Sequence, residues 1–150
     1  MIEVIPLAEA LTDGVVVLRA STSEDFALIS ASHDEAGRRY LGDPHPDPWA
    51  CIVVGGEVVG WIDYDYGREW LEPTEVNLGF MVFSDFRRRG YALRAVRLLV
   101  EKHLVETQCT RATMLIEPDN RPSLAVAEKS MFTEVGSIDG QRFFVCPTVE

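Results

Sequence analysis

The hydrophobic pattern changes its period near the centre of the chain. Between Val76 and Phe83 apolar side chains occupy both faces of an extended segment, which is typical of a central strand covered on both sides. From Ala92 to His103 apolar positions recur every three or four residues, which predicts an amphipathic helix. Three arginines and a glycine, Arg87–Gly90, separate the two patterns. We expect a strand, a basic turn and a helix.

The flanking sequence alternates between strand and helix patterns. Strands are predicted at 15–19, 51–54, 58–66, 111–116, 132–135 and 142–146, and helices at 23–30, at 34–41 and after residue 120. Ser23 and Asn120 are the predicted N-caps of two helices. Gly55-Gly56 and Asp139-Gly140 predict hairpin turns, and the prolines of segment 42–48 predict a loop. We expect one α/β domain over residues 1–150, in two or three layers.

The basic turn has the composition of a phosphate site. The first N–H groups of a helix lack internal acceptors and carry the positive end of the helix dipole. Gly90 lets the backbone approach a ligand closely, and the arginines add permanent positive charge. The two common phosphate loops, G-x-x-x-x-G-K-[ST] and G-x-G-x-x-G, are absent. The alternative is a solvated basic turn.

These residues also carry a resemblance to a known family. Arg87-x-x-Gly90-x-Ala92, between a strand and a helix, resembles the pyrophosphate loop Q/R-x-x-G-x-G/A of the GCN5-related N-acetyltransferases (GNAT). Leu18-Arg19, Ser23–Phe26, Arg39–Gly42 and Asn120-x-x-Ser123 resemble the branch that contains the ribosomal-protein alanine N-acetyltransferases (RimJ/RimL-like). The resemblance implies the acyl-CoA N-acyltransferase fold, a central mixed sheet flanked by helices. It further implies acetyl transfer from acetyl-CoA to a primary amine by direct attack in a ternary complex, without a metal.

The resemblance implies a cofactor site that follows the strand and the turn. Its predicted members are Phe80, Met81, Val82, Arg87, Arg88, Arg89, Gly90, Tyr91, Ala92 and Asn120. Main-chain groups of a bulged strand are expected to bind the pantetheine arm, with an oxyanion-type donor near Val82. Backbone N–H groups of the turn are expected to hold the pyrophosphate.

Two positions depart from the family pattern N-x-x-A-x-x-x-Y-x-x-x-G-F. Ala127 stands in the tyrosine slot, and Met131 stands in the glycine slot. Ser123 lies one helical turn before Ala127 on the same face, so it is the candidate donor to the leaving thiolate. Helix packing or capping is the alternative role of its hydroxyl.

The general base is open at this stage. An alkyl ammonium has a pKa of about 10.4 and must lose a proton before it attacks a thioester. The strand position that holds a glutamate in many relatives is Val76 here, so Glu75 is the candidate base if a bulge shifts the register. A solvated strand end is the alternative reading of Glu75. A water relayed to Asp63, Asp65 or a backbone carbonyl is another route for the proton.

Charge is divided unevenly along the chain, whose net charge is −10. Twelve acidic and three basic side chains lie between Glu24 and Glu75, whereas seven basic and three acidic ones lie between Asp85 and Arg111. An acidic first half argues against nucleic acid and attracts small cations. A merely solubilising surface is the alternative.

One predicted ammonium pocket combines four aromatic residues with two acidic ones. The aromatic residues are Trp49, Tyr64, Tyr66 and Trp70, and the acidic ones are Asp63 and Asp65. The alternative is that the aromatic residues pack the hairpin.

Composition narrows location and partners. The three cysteines, Cys51, Cys109 and Cys146, are scattered along the chain. Their spacing from the histidines is not that of metal ligands, and their odd number and scatter favour a reducing compartment. The sequence shows no signal peptide and no apolar run of membrane length. We expect a cytoplasmic monomer or homodimer whose partner is a small-molecule amine or a peptide N-terminus, not nucleic acid or a membrane.

Two rival functions belong to other classes. One is a catalytically weak CoA-binding sensor or partner-binding module on the same fold, which Ala127 and the missing glutamate favour. The other is a different phosphate-binding enzyme, such as a nucleotide transferase. Against it, this sequence has no pair of metal-binding carboxylates after a phosphate loop.

Overall fold

The computed structural model describes residues 3–148, so the ends of the predicted domain, residues 1, 2, 149 and 150, lie outside the described residues. The helices are α1 (Phe26–Ser32), α2 (Glu35–Leu41), α3 (Tyr91–Leu98) and α4 (Arg121–Lys129). The strands are β1 (Leu11–Thr12), β2 (Val17–Ala20), β3 (Ala50–Val54), β4 (Glu57–Asp65), β5 (Glu75–Val82), β6 (Arg111–Ile116), β7 (Thr133–Ile138) and β8 (Gln141–Pro147). This order of strands and helices confirms the predicted α/β class.

Contacts along the chain group into two compact units. The first unit consists of Pro6–Asp63 and Gly79–Leu98. The second unit consists of the residues up to Ile5, Tyr64–Leu78 and the residues from Leu99 onward. Strands β4 and β5 contribute residues to both units. The prediction of a single domain over residues 1–150 stays a prediction.

The first unit contains the antiparallel part of the sheet. Its strands follow the order β1-β2-β3-β4-β5, and the pairs from β1 to β4 are antiparallel. Gly55 and Gly56 both have positive φ, 59° and 79°, as a type I′ turn requires, which confirms the predicted β3–β4 hairpin. Its apolar cluster joins one residue of α1, one of β4, one of β5 and the residue that follows β5. These are Ile29, Trp61, Met81 and Phe83.

The second unit continues the sheet in the order β5-β6-β8-β7. β5 and β6 are parallel, whereas β6–β8 and β7–β8 are antiparallel. Tyr64 is 1% exposed, and its hydroxyl joins the Ile5 N–H and His103 Nε2, each at 2.9 Å. Burial lowers the pKa of His103, which favours the neutral form of its ring. Because the sheet combines a parallel pair with antiparallel pairs, it is mixed, as predicted.

Two predicted helix boundaries are wrong. The Thr22 N–H donates to the Asp25 carboxylate at 2.8 Å, so the segment before α1 is capped by Thr22 and not by Ser23. The helix expected through His103 is α-helical only to Leu98, and Leu99–His103 forms a π-helical turn. Apolar spacing does not distinguish these turn types, because all three buried residues of the π turn fit the same apolar face.

Burial along β5 changes phase near Gly79. Val76 and Leu78 are buried, but the next buried positions are Met81 and Phe83. In a regular strand an offset of three residues places Leu78 and Met81 on opposite faces, as in a strand that is covered on both sides. Within the first unit, a Cβ on Gly60 would lie 2.1 Å from the Met81 carbonyl oxygen. Only glycine at position 60 permits this approach.

We expect Gly60→Ala to destabilise the protein, because the new methyl group collides with a backbone oxygen that cannot rotate away. The expected loss of unfolding free energy is about 1–3 kcal/mol, typical of overpacking, measured by urea denaturation. Gly136→Ala is the control, since no heavy atom lies within 4 Å of the position that a Cβ on this strand glycine would take. Equal stability of the two variants would contradict the assignment.

Candidate active site

The backbone turns sharply between β5 and α3. A 3-10 turn, Ser84–Phe86, is followed by Arg87 in an extended conformation, φ −71° and ψ 162°. Arg88 and Gly90 then have positive φ, 66° and 80°. For Arg88 this left-handed conformation costs about 1–2 kcal/mol, so the surrounding chain must hold it in place. The predicted basic turn is thus a tight, strained connection.

The turn ends in an open helix N-terminus. The Arg94 N–H donates to the Gly90 carbonyl at 3.2 Å, so the N–H groups of Tyr91, Ala92 and Leu93 precede the first such bond of α3. No heavy atom lies within 4 Å of the position of a Gly90 Cβ. Arg88 and Arg89 are exposed. The arrangement offers unpaired N–H donors and positive charge on one accessible turn, which suits an anion.

Arg87 differs from its two neighbours because its guanidinium binds within the protein. Nε donates to the Val82 carbonyl at 2.8 Å, and Nη1 lies 2.9 Å from Asp34 Oδ2. Asp34 is the N-cap of α2 and also accepts the Gly37 N–H at 2.9 Å. Arg87 therefore connects the end of β5 to the start of α2. Its predicted contact with a cofactor phosphate stays a prediction.

The predicted strand residues divide by environment. Met81 is buried, and its side chain packs in the cluster with Ile29, Trp61 and Phe83. Phe80 and Val82 are half-buried. The Met81 side chain is thus used in packing, and the predicted main-chain contacts of this stretch with the pantetheine arm stay a prediction.

In the second unit, Asn120 and Ser123 lie at the start of α4. Asn120 is the N-cap residue of α4, as predicted, although its side chain makes no capping hydrogen bond. Its carbonyl accepts the Leu124 N–H at 3.1 Å. Ser123 is half-buried, whereas Ala127 is 0% exposed. Met131, after the helix, has φ 70°, so a side chain occupies a left-handed position suited to glycine.

Glu75 is buried, contrary to the alternative of a solvated strand end. Its side chain is 3% exposed. Oε1 accepts the Glu72 N–H at 2.9 Å, and Oε2 pairs with Arg111, its in-register neighbour on β6. Both carboxylate oxygens are thus engaged in contacts that hold the strand. The general-base role of Glu75 stays a prediction.

Asp63 is also engaged. Oδ2 lies 2.8 Å from His45 Nε2, and Oδ1 accepts the Trp49 N–H at 2.9 Å. His45 Nδ1 accepts the Asp47 N–H at 3.1 Å, so Nε2 of the neutral ring carries the proton that Asp63 accepts. The pair fastens the proline-rich loop 42–48 to β4.

Two of the four aromatic rings in the predicted ammonium pocket, those of Trp49 and Tyr64, are buried. Tyr64 is buried and its hydroxyl is bonded within the second unit, so its ring presents no face to a cation. Asp65 forms an ion pair with Arg68, whose guanidinium lies 5.6 Å from the centre of the Trp70 ring. Tyr66 is exposed. Aromatic alternation in the sequence did not reveal which rings enter the core.

Burial disfavours the thiolate form of the cysteines. All three are buried and free. Burial raises the pKa of Cys51 to about 12 and shifts the pKa of Cys109 and Cys146 in the same direction.

Within residues 3–148 no group of three or more His, Cys, Asp or Glu side chains is placed to hold a metal ion. Within the same residues no helix is long and apolar enough to cross a membrane.

Sequence reasoning missed three residues that shape the site: Asp34, His45 and Gly60. The position of Asp34 before α2 is a local N-cap signal, but its partner Arg87 is 53 positions away in the sequence. His45 and its partner Asp63 are 18 positions apart. No local pattern marks such pairs.

Comparison with solved structures supports the fold. An acetyltransferase (GNAT family) from Bacillus anthracis superposes with a TM-score of 0.76 at 16% identity, covering 93% of this chain and 99% of that one. Mycobacterium smegmatis RimJ in complex with CoA-disulfide gives a TM-score of 0.69 at 20% identity, covering 89% and 82%. Aminoglycoside acetyltransferase AAC(6')-Ib in complex with coenzyme A and kanamycin gives 0.73 at 18% identity, covering 88% and 94%. No match was found among curated proteins.

A family profile gives the stronger result. The acetyltransferase (GNAT) domain family matches residues 30–133, which include β3 to α4 and the whole turn from Arg87 to Ala92. The match confirms the resemblance drawn from the turn, and a member of the predicted ribosomal-protein branch is among the structural neighbours. The chain belongs to the GNAT acetyltransferase family.

Proposed function

We propose that the enzyme acetylates the primary amine of a small cationic molecule or a peptide N-terminus, by direct attack in a ternary complex. The observation that carries this proposal is the left-handed turn of Arg88 and Gly90, which runs into the open N-terminus of α3. In the proposed complex the N–H groups from Arg88 to Ala92 bind the pyrophosphate of acetyl-CoA, with charge supplied by Arg88 and Arg89. The pantetheine arm is bound by main-chain groups of Phe80, Met81 and Val82. Asn120 contributes its side-chain amide, which makes no capping hydrogen bond.

The proposed reaction needs one proton removed and one supplied. The amine nitrogen forms a bond to the thioester carbon, the C–S bond breaks, and the ammonium proton is lost to a base while the thiolate takes up a proton. A main-chain N–H near Val82 stabilises the developing oxyanion, so no metal is required. Ser123 is the proposed donor to the sulfur. Because thiols have a pKa of about 8.5, the thiolate leaves readily near neutral pH and this donor is helpful but not essential.

The proton acceptor has two proposed forms. Glu75 acts directly only if its carboxylate leaves the Arg111 pair or the Glu72 N–H. Asp63 is occupied by His45 and the Trp49 N–H. A water relayed to a backbone carbonyl avoids breaking any of these contacts, so we favour it.

Acceptor preference is proposed to follow from the charge of the chain rather than from a closed pocket. The first half carries twelve acidic and three basic residues between Glu24 and Glu75. Such a field concentrates cationic amines and repels anionic ones. We further propose a cytoplasmic location, a single domain, and a monomer or homodimer that binds neither nucleic acid nor membrane.

A CoA-binding sensor is the second candidate. The observations that favour it are Ala127, fully buried in the tyrosine slot, and Val76, fully buried in the glutamate slot. Neither side chain has a proton to exchange. A sensor would bind acetyl-CoA without acceleration of its consumption by any amine.

We expect Gly90→Trp to weaken acetyl-CoA binding at least tenfold, because an indole at this open position fills the space that a phosphate needs. Isothermal titration measures the affinity. Gly140→Trp is the matched control, since Gly140 also has positive φ, 81°, and no neighbour within 4 Å of its Cβ position. Equal affinity of wild type and Gly90→Trp would remove the site assignment.

We expect an amine panel to separate acceptors by charge. Polyamines, aminoglycosides and peptides with free N-termini should show a higher kcat/KM than acidic amino acids, because the field favours cations. Raising the ionic strength from about 0.01 M to about 0.15 M should shrink the difference, since the screening length falls to about 8 Å. A preferred acceptor that is neutral or acidic contradicts the acceptor class, and no acceleration by any amine supports the sensor.

We expect Glu75→Gln to lower stability more than turnover. The amide keeps an acceptor for the Glu72 N–H but loses the ion pair with Arg111. Thermal unfolding and kcat are measured together, with Arg111→Gln as the matched removal of the same pair. A drop of about 100-fold or more in kcat for Glu75→Gln alone would instead establish Glu75 as the base.

A further inference from the structure

Asp34 and Arg87 form a contact that neither the family pattern nor the charge distribution assigns. Arg87 Nη1 lies 2.9 Å from Asp34 Oδ2 while Nε donates to the Val82 carbonyl at 2.8 Å. Asp34 Oδ1 accepts the Gly37 N–H. All of these residues belong to the first unit. One guanidinium therefore ties the last residue of β5, the turn and the start of α2 together.

The contact acts on the strained part of the turn. Arg88, the next residue, has φ 66°, a conformation that the chain adopts only when its neighbours impose it. Fixing Arg87 at both Nε and Nη1 fixes the peptide that leads into Arg88. Burial by itself raises the pKa of Asp34, but the bonds from Arg87 and the Gly37 N–H outweigh it and hold this pKa below its usual value, so the carboxylate is charged near neutral pH.

We propose that Asp34 is a positioning residue of the cofactor turn, which holds Arg87 so that the N–H groups from Arg88 to Ala92 converge on the pyrophosphate. The inference rests on the proposed function of this turn. It assigns Arg87 a role set by geometry rather than by charge alone. A second consequence is that α2 and the cofactor turn move together, because they share this ion pair.

The sign of the effect separates positioning from electrostatics. Asp34→Asn keeps an N-cap side chain of equal quality for α2 but removes the charge that holds Arg87. By field alone, losing a negative charge near an anionic cofactor tightens binding. Loss of positioning weakens it, by about threefold to fivefold if the pair has the strength of a well-placed surface ion pair.

Asp13→Asn is the matched control. Asp13 Oδ2 lies 2.9 Å from Arg94 Nη1 on α3, and Asp13 Oδ1 accepts backbone N–H groups from Val15 and Val16. The charge change, the partner type and the unit are the same, but the pair does not involve the turn. We expect Asp13→Asn to leave acetyl-CoA affinity unchanged or slightly higher.

Isothermal titration of acetyl-CoA into the full chain tests the proposal, with thermal unfolding as a check on each variant. Asp34→Asn should weaken binding at both low and high salt, and should raise the KM for acetyl-CoA with little change in kcat. Arg87→Lys keeps the charge but not the two-point contact, so it should weaken binding similarly. The affinity of the double variant for acetyl-CoA should be no lower than that of the single variant with the lower affinity.

Three results overturn the proposal: Asp34→Asn binding as tightly as Asp13→Asn, Arg87→Lys binding like wild type, or additive losses in the double variant. If Asp34→Asn does not fold, Arg87→Lys decides by itself. Failure of the proposed function is a different result, in which wild type does not bind acetyl-CoA or Gly90→Trp binds it equally well.

Discussion

The contact between the Met81 carbonyl and Gly60 sets the geometry of everything that follows in the first unit. A Cβ at position 60 would lie 2.1 Å from that oxygen, so β4 and β5 approach there only because the side chain is a hydrogen atom. The burial phase of β5 shifts just before this contact, and Met81 and Phe83 then enter the cluster with Trp61. Since only four residues separate Phe83 from Arg88, the position of the strand end fixes where the left-handed turn begins.

Local signals made most of the fold predictable. Gly55-Gly56 and Asp139-Gly140 specify their hairpins by themselves, because few residues other than glycine, asparagine and aspartate adopt the positive φ that these turns need. The change of period from Val76–Phe83 to the residues after Ala92 likewise located β5 and α3. Finer features failed where two neighbours were chemically equivalent. Thr22 and Ser23 are both good N-caps, and only the bond from the Thr22 N–H to Asp25 distinguishes them.

Charges were harder to interpret than apolar residues, because a formal charge does not reveal its partner. Several acids of the first half are bound within the fold and are not open to a ligand. Asp25 pairs with Arg19, Asp34 with Arg87, Asp63 with His45, Asp65 with Arg68 and Glu75 with Arg111. Each bond engages a carboxylate locally, although the net charge of −10 and its long-range field are unchanged. Selection of a cation by field and recognition by a dedicated carboxylate are therefore separate questions, and only the first follows from composition.

The departures from the family pattern have a physical consequence for the reaction. Ala127 is 0% exposed, so the slot of the usual tyrosine is occupied by packing in the second unit. Met131 is 77% exposed with φ 70°, so its left-handed conformation costs about 1 kcal/mol that no packing of its side chain offsets. Ser123 is the one side chain proposed to donate to the sulfur, so the reaction relies mainly on the thiolate as a leaving group, which the thiol pKa of about 8.5 makes a fair one. Turnover without a strong acid therefore depends on holding the thioester and the amine in line, which is a matter of positioning rather than of proton supply.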